Sequence, residues 1–169
     1  MNALWGMPGV LVLVLCLLPG PARAQPAIGW VDTAAIYPGR ILVRARMDSG
    51  AKTSSLRTDS CQSFERGGDT WIRLRVTDRR GHPHTLERRV VRIAAIKQHS
   101  ATPTRRPVIR LGLCVGDVYK EVEVTVAARA NLNYPLLVGR NFLAGSFLID
   151  SARTYTAKPA CSRKGVGDQ

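Results

Sequence analysis

Residues 40–51 read RILVRARMDSGA, a stretch in which apolar and polar side chains alternate up to an aspartate. Every second position from Ile41 to Met47 is apolar, which is typical of a strand that buries one face. The strand runs directly into Asp48, and Gly50 permits a tight turn two residues later. The stretch therefore predicts a half-buried strand that ends in a turn, with a carboxylate held against backbone amides.

More strands of the same kind follow along the chain. They alternate apolar and polar residues or are rich in β-branched residues, and turn-rich segments separate them. With residues 40–48, the predicted strands are residues 71–77, 86–96, 107–115 and 118–126. Short strands at this spacing favour an all-β fold, either a small closed barrel or a sandwich. The one helix we predict is a turn or two near Arg140 to Ala144.

Composition and charge limit the class of protein. The 169 residues are 45% hydrophobic and 22% charged, which suits one globular domain with a buried core rather than a disordered chain. The formal charge is +13, from 25 Lys and Arg against 12 Asp and Glu, and such a charge ordinarily favours nucleic acid as a partner. Arginines such as Arg73 and Arg75 alternate with apolar residues, so we expect many of them on a solvated sheet face.

The beginning of the chain predicts export. Residues 1–24 combine an apolar run from Val10 to Leu18 with a helix-breaking segment and a small residue, Ala24, at the expected cleavage point. The run is too short for a membrane span, although an uncleaved anchor is the alternative. We therefore predict a signal peptide at 1–24, one domain at 25–161 and a flexible tail at 162–169. An exported protein, periplasmic or secreted, has no membrane span after cleavage and is not expected to meet nucleic acid.

Three cysteines follow the predicted cleavage point, and an oxidising compartment favours pairing two of them. Sequence alone allows each of the three pairings among Cys61, Cys114 and Cys161. We favour Cys114 with Cys161, because this bond would tie the C-terminal segment back to a strand. Cys61 would then be free or form an intermolecular bond.

A second informative stretch is residues 134–143, YPLLVGRNFL, an apolar strand that ends at a glycine and leads into the predicted helix. Together with residues 48–51 it resembles the retropepsin-like aspartic proteases. DSGA at 48–51 matches their Asp-Thr/Ser-Gly-Ala signature, and LVGRN at 137–141 matches their paired aliphatics, Gly, Arg and Asn/Asp. Residues 29–155 also resemble a bacterial family labelled ATP-dependent zinc protease, whose members look retropepsin-like. The resemblance implies a small closed retropepsin-like barrel with one short C-terminal helix.

The resemblance also implies an acid protease chemistry that two chains of a homodimer share. Each chain would supply one Asp48, and the two carboxylates would share a proton around one water, because like charges about 3 Å apart cannot both ionise. The hydroxyl of Ser49 would brace the two loops across the dimer axis. The other implied site residues are Gly50 and Ala51 along the substrate backbone, Leu137, Val138 and Gly139 behind the loop, and Arg140 as an ion-pair partner in the dimer.

The zinc and the ATP of the family label have no matching residues in the sequence. The HExxH motif is absent, and no third ligand accompanies His82 and His84, while His99 lies apart from them. GAKT at residues 50–53 lacks the adjacent Gly-Lys pair of a phosphate-binding loop. We expect neither a metal nor another cofactor.

Asp150 and Asp32 are alternatives to Asp48 as the catalytic aspartate. Asp150 precedes Ser151 and Asp32 precedes Thr33, but neither pair is followed by glycine. We therefore expect Asp150 to cap a strand end, and a turn-capping role is likewise the alternative for Asp48. A substrate-covering flap is harder to place, and residues 78–84 are the candidate.

These patterns favour an exported, homodimeric aspartic endopeptidase that hydrolyses peptide bonds without zinc or ATP. The positive charge would suit an acidic peptide or protein substrate. The alternative is a non-catalytic envelope module in which a retropepsin-like barrel uses its basic face to bind an acidic protein or an anionic polymer.

Overall fold

The computed structural model describes residues 24–96, 104–128 and 133–161, and within these ranges the chain forms ten strands and one short helix. Residues 1–23 of the predicted signal peptide and the predicted tail at 162–169 lie outside the described residues. The elements are β1 (Ala27–Tyr37), β2 (Ile41–Met47), β3 (Ser54–Arg57), β4 (Ser60–Arg66), β5 (Asp69–Thr77), β6 (Pro83–Ile96), β7 (Thr104–Val115), β8 (Val118–Ala127), β9 (Leu136–Val138), α1 (Arg140–Leu143) and β10 (Leu148–Thr154).

Six strands close into a mixed barrel, in the order β1, β2, β9, β3, β8, β7 and back to β1. The pairs β2–β9 and β3–β8 are parallel, and the other neighbours in the ring are antiparallel. The ring closes because β1 is long enough to pair with two strands, through residues 31–36 with β2 and through residues 34–37 with β7. The prediction of an all-β closed barrel with one short helix near the C-terminus is confirmed, and the sandwich is excluded.

β1 was not among the predicted strands, because its sequence AIGWVDTAAIY does not alternate. Residues 31–37 are all buried, so both faces of the strand avoid water. One face contributes Ala34 and Ile36 to the barrel core, and the other contributes Ala35 to a small cluster around Cys114. A disulfide joins Cys114 to Cys161 and holds the C-terminal segment over that outer face.

Beyond the barrel, β6, β5 and β4 continue from β7 as an antiparallel sheet. The apolar positions of β5, such as Ile72 and Leu74, are buried, while Arg73 and Arg75 lie on the opposite, exposed face. The expectation that these arginines belong to a solvated sheet face is therefore confirmed. On the outermost strand, Cys61 is a free, half-buried thiol, and burial raises its pKa.

The single helix in the described part of the chain is one turn long and begins directly after β9. Its residues Phe142 and Leu143 are buried in the barrel core. The ammonium of Lys120 donates to the carbonyl of Phe142 at 2.7 Å and to that of Ala144 at 3.3 Å, which occupies carbonyls at the end of the helix. Among the described residues no helix has the length and apolar character to cross a membrane.

Candidate active site

Asp48 lies directly after β2, at the place where β2 and β9 run side by side. Its backbone N–H donates to the carbonyl of Val138 at 2.8 Å, which continues the parallel pairing of Met47 with Val138. The side chain keeps 20% of its surface exposed, and Nη2 of Arg46 lies 3.6 Å from its Oδ2. The sheet therefore fixes the backbone of Asp48, while its carboxylate reaches solvent and is able to act on a substrate as an acid or base.

The turn after Asp48 is compact. The N–H of Ala51 donates to the carbonyl of Asp48 at 3.2 Å, and Ser49 and Gly50 are exposed between them. A Cβ on residue 50 would lie 3.3 Å from Oδ1 of Asp48, which is tighter than an ordinary carbon contact. Glycine at this position thus leaves room beside the carboxylate for a substrate or a water molecule.

Arg140 binds the outside of this turn. Its Nη1 donates to the carbonyls of Ser49 at 2.7 Å and Gly50 at 2.9 Å. The backbone N–H of Arg140 also donates to the carbonyl of Ala51 at 2.9 Å. The two sequence motifs are therefore in direct contact, and within this chain Arg140 holds the turn through its carbonyls. Its ion pair in a dimer stays a prediction.

A buried hydrogen-bond network lies behind the turn, and no sequence pattern predicted it. The hydroxyl of Ser54 lies 2.9 Å from Oδ1 of Asn141 and accepts the N–H of Gly139 at 3.0 Å. Oδ1 of Asn141 also accepts the N–H of Ser54 at 3.0 Å. Ser54 is fully buried, so its polar groups need these partners. One member of this network, Asn141, belongs to the recognisable LVGRN motif.

Gly139 allows β9 and the start of β3 to approach each other. A Cβ at this position would lie 2.7 Å from the carbonyl carbon of Thr53 and 2.9 Å from the nitrogen of Ser54, both of them backbone atoms. The side chains of Leu136 and Val138 are both buried in the barrel core, and Leu137 is half-buried. Gly139 thus lets the end of β9 pack directly against the backbone before β3, and the supporting role of Leu137, Val138 and Gly139 in catalysis stays a prediction.

The other two aspartates of the sequence analysis are bound elsewhere. Asp32 is fully buried in β1 and accepts hydrogen bonds from Thr33, Thr156 and Ala157. Asp150 accepts the N–H of Ala152 at 2.9 Å, but it lies within β10 and not at a strand end, so the expectation of a strand-end cap is wrong. Within the described residues, neither carboxylate has an observed hydrogen bond or ion pair with Asp48.

Residues 78–84 do not lie over Asp48, so the expectation that they form a flap is wrong. They connect β5 to β6, and the N–H of Arg79 donates to the carbonyl of Leu42 at 2.8 Å. Leu42 precedes Asp48 by six residues of extended strand, a separation of about 20 Å at about 3.3 Å per residue. The turn is local in origin, because the carboxylate of Asp78 accepts the N–H groups of Arg80 and His82.

The histidines of this turn are partners of Asp78. His82 and His84 approach its carboxylate to 3.5 Å and 3.3 Å. The backbone hydrogen bond from His82, together with one from the backbone of Arg80 and one from the side chain of His84, holds the pKa of Asp78 well below its usual range against a smaller effect of burial. No group of three or more His, Cys, Asp or Glu able to hold a metal ion occurs among the described residues. The third histidine, His99, lies outside the described residues.

Comparison with known families matches residues 27–160 to the family described as "RimB-like: Retropepsin-like aspartic endopeptidase RimB". The chain belongs to this RimB-like family. The resemblance to retropepsin-like aspartic proteases, drawn from residues 48–51 and 137–141, is thereby confirmed.

The chain is also similar to one part of several larger proteins. It is 32% identical over 118 residues to a probable alpha-L-glutamate ligase of Desulfotalea psychrophila, covering 65% of this chain and 24% of the relative. It is 29% identical over 116 residues to one of Shewanella pealeana, covering 67% and 25%. The chain thus spans about a quarter of the length of these relatives.

A solved structure also resembles this RimB-like chain. It is the crystal structure of a Legionella pneumophila protein of unknown function (DUF785), with a TM-score of 0.67 and 27% sequence identity. The match covers 80% of this chain and 100% of the Legionella chain.

Proposed function

We propose that this protein is an exported aspartic endopeptidase that acts as a homodimer, with Asp48 of each chain forming the catalytic pair. The observation that carries the proposal is the Asp48 carboxylate, which is 20% exposed at the end of β2. The turn around it is held by Arg140 and by the buried Ser54–Asn141 network. A catalytic group needs such a fixed support together with access to substrate.

The second carboxylate of the pair would come from another copy of the chain. The sequence contains a single Asp-Ser-Gly, and the carboxylates of Asp32 and Asp150 accept hydrogen bonds from Thr156 and Ala152. A twofold axis beside the exposed residues Ser49 and Gly50 would bring two Asp48 side chains together from identical loops. The dimer is therefore part of the proposed chemistry.

Peptide hydrolysis would then follow the chemistry of paired carboxylates. One Asp48 takes a proton from a bound water, whose oxygen adds to the peptide carbonyl carbon, while the protonated partner donates its proton to the carbonyl oxygen. The C–N bond breaks as the nitrogen receives a proton, which releases a carboxylic acid and an amine. The two carboxylates titrate as a pair, because they share one proton.

We extend the proposal to acidic peptides as the substrate class and to the cell envelope or exterior as the place of action. The formal charge of +13 attracts acidic chains, and the relatives that share this segment are named probable alpha-L-glutamate ligases. Residues 1–24 have the pattern of a signal peptide, which supports export.

The test compares Asp48→Asn with the wild-type protein on a library of quenched fluorescent peptides that includes Glu-containing sequences. We expect Asp48→Asn to abolish cleavage, because an amide neither accepts the proton of water nor donates one as an acid. Asp150→Asn is the matched control, because it makes the same replacement at another aspartate that precedes a serine, and its activity should stay near that of the wild type. Light scattering should show dimers in all three proteins.

Full activity of Asp48→Asn would contradict the proposal. Activity should also survive EDTA in the absence of ATP, and its loss on chelation with recovery on adding zinc would support a metal enzyme instead. If the wild-type protein cleaves no peptide but binds acidic ones in a salt-sensitive way, the non-catalytic binding module is favoured.

A further inference from the structure

An arginine lies beside the carboxylate of the candidate active site. Arg46 precedes Asp48 by two residues at the end of β2, and alternate residues of a strand project from the same face. Ala45 and Met47 lie on the opposite face and are buried in the barrel core. Nη2 of Arg46 lies 3.6 Å from Oδ2 of Asp48. The strand therefore places a cation next to the residue that is proposed to carry the chemistry.

The fold shows no other use for this guanidinium. The backbone of Arg46 pairs with Val31 on one side and with Leu137 on the other, but the side chain is 45% exposed and takes no part in the ladder. In the described part of the chain, its one observed ion-pair or hydrogen-bond partner is Asp48. Arg140 differs, because it binds backbone carbonyls and so holds the turn itself. Arg46 is therefore placed to act on the carboxylate and not on the turn.

The other charged groups around the turn are directed elsewhere. The guanidinium of Arg140 on α1 binds carbonyls of the turn, and the neighbouring strand β9 contributes only the apolar residues Leu136–Val138. On β1, the buried carboxylate of Asp32 accepts hydrogen bonds from the C-terminal segment. Lys52 follows the turn and has no observed ion pair within the described residues. Among these groups, Arg46 is thus the cation within ion-pair distance of the candidate catalytic carboxylate.

The two oxygens of Asp48 have different surroundings. Oδ2 is the oxygen nearest to Arg46, whereas Oδ1 lies on the side of Gly50, where a Cβ would approach it to 3.3 Å. The exposed residues Ser49 and Gly50 are those beside which the twofold axis of the proposed dimer would lie. An ion pair at Oδ2 therefore leaves Oδ1 on the side from which a second Asp48 would approach.

We infer that Arg46 is a positioning residue for the proposed peptide hydrolysis, which binds Oδ2 of Asp48 and orients Oδ1 toward the second Asp48 of the dimer. This inference rests on the proposed function and deepens it by naming a group that controls the catalytic pair. Arg46 exchanges no proton in the reaction. Its charge also favours an ionised neighbour, so the pair keeps its single negative charge to a lower pH than it would without Arg46.

The first test compares steady-state cleavage of one peptide by the wild type, Arg46→Gln and Arg46→Lys. We expect Arg46→Gln to lower kcat about tenfold, which is less than the roughly hundredfold loss that a 1 Å displacement of reacting groups can cause. KM should change by less than about twofold, because the lost interaction acts on the chemical step and not on substrate binding. Arg46→Lys should restore part of kcat, because it keeps the charge but not the planar guanidinium.

The second test measures kcat/KM as a function of pH. Without the cation, the carboxylate pair takes up its second proton at a higher pH, so the acidic limb of the profile should move upward in Arg46→Gln. A shift of about half a pH unit is expected for a half-exposed ion pair at this distance. Arg46→Lys should keep the limb near that of the wild type. A residue that only supported the fold would leave the position of the limb unchanged.

Arg44→Gln is the matched control. Arg44 lies on the same face of β2, two residues earlier, and its exposed side chain has no observed ion pair or hydrogen bond within the described residues. Its kcat, KM and pH profile should stay those of the wild type, and all variants should unfold at nearly the same urea concentration. Wild-type kinetics in Arg46→Gln, an equal loss in Arg44→Gln, or an effect on KM alone would overturn the inference.

The outcome for the wild type separates this inference from the proposed function. If the wild type cleaves peptides and Arg46→Gln matches it in kcat and in pH profile, the proposed function stands and the role of Arg46 is wrong. If the wild type cleaves no peptide, the endopeptidase proposal is wrong, and carboxylate NMR then decides the role of Arg46. The Asp48 signal, identified by its loss in Asp48→Asn, should titrate at a higher pH in Arg46→Gln than in the wild type, and an unchanged titration would overturn the inference.

Discussion

Asp32 offers the sharpest test of what holds the C-terminal segment onto the barrel. Its carboxylate has no exposed surface, and it accepts the N–H of Thr33 at 2.8 Å, the N–H and hydroxyl of Thr156 at 2.9 Å and 3.1 Å, and the N–H of Ala157 at 3.0 Å. Asp32→Ala removes the acceptor of all these donors. We expect the free energy of unfolding to fall substantially as a result.

The magnitude follows from how each donor can respond. The N–H of Thr33 is buried in β1 and loses its partner outright, at a cost of about 1–3 kcal/mol. The donors of Thr156 and Ala157 lie on a less buried segment and regain water if that segment moves away, so their loss adds about 1–2 kcal/mol. A total of about 3 kcal/mol lowers the Tm of a domain of roughly 150 residues by about 6–12 °C.

Urea unfolding and thermal scans of Asp32→Ala at pH 7 measure this loss, and Asp150→Ala is the control. Asp150 makes a local turn contact on an exposed strand, so its substitution should cost less than about 1 kcal/mol. Hydrogen exchange should in addition speed up at the amides of residues 156 and 157. Equal stability losses in the two variants would refute the reasoning.

Two further perturbations test other parts of the fold. Gly139→Ala places a Cβ against backbone atoms of Thr53 and Ser54, so we expect a loss of about 1–3 kcal/mol in urea unfolding together with reduced peptide cleavage, and wild-type values of both would contradict the packing described for this glycine. Asp78→Asn should lower the Tm at neutral pH, because the lowered pKa of Asp78 means that its charged form stabilises the fold at all pH values above its unfolded pKa of about 3.9. That stability is lost as the pH falls through the lowered folded pKa, so the difference in Tm between the wild type and Asp78→Asn should narrow below about pH 4. A difference that is independent of pH would exclude the charge of Asp78 as its cause.

A strand could be predicted from the sequence when one of its faces is exposed to solvent. β2, β5, β7 and β8 carry at least part of the alternating pattern, and the sequence predicted them to within a few residues. β1 is covered on both sides, by the barrel core and by the C-terminal segment, so its residues show no period of two. Its pairing partners are set by tertiary contacts that local sequence does not encode.

The candidate site could likewise be predicted only in part from the sequence. The DSGA and LVGRN motifs were recognisable, because they carry a characteristic order of residue types. The contacts between them were not, because Arg140 and Gly50 are 90 residues apart in sequence and meet through carbonyl groups that every residue possesses. The failed flap at residues 78–84 has a related cause, since turn composition is visible in sequence but the location of the turn relative to Asp48 is not.

The threefold pairing of β1 with β10, β2 and β7 has a consequence for the order in which the chain can assemble. From β4 to β8 each strand pairs with the next one along the chain, although β7 also pairs with β1 and β8 with β3. By contrast, β1 must wait for β7 and then for β10 at the far end of the described chain. Contacts this distant in sequence carry a large loop-closure cost and slow folding. During synthesis, β1 would therefore lack two of its three partner strands until β7 and then β10 had been made.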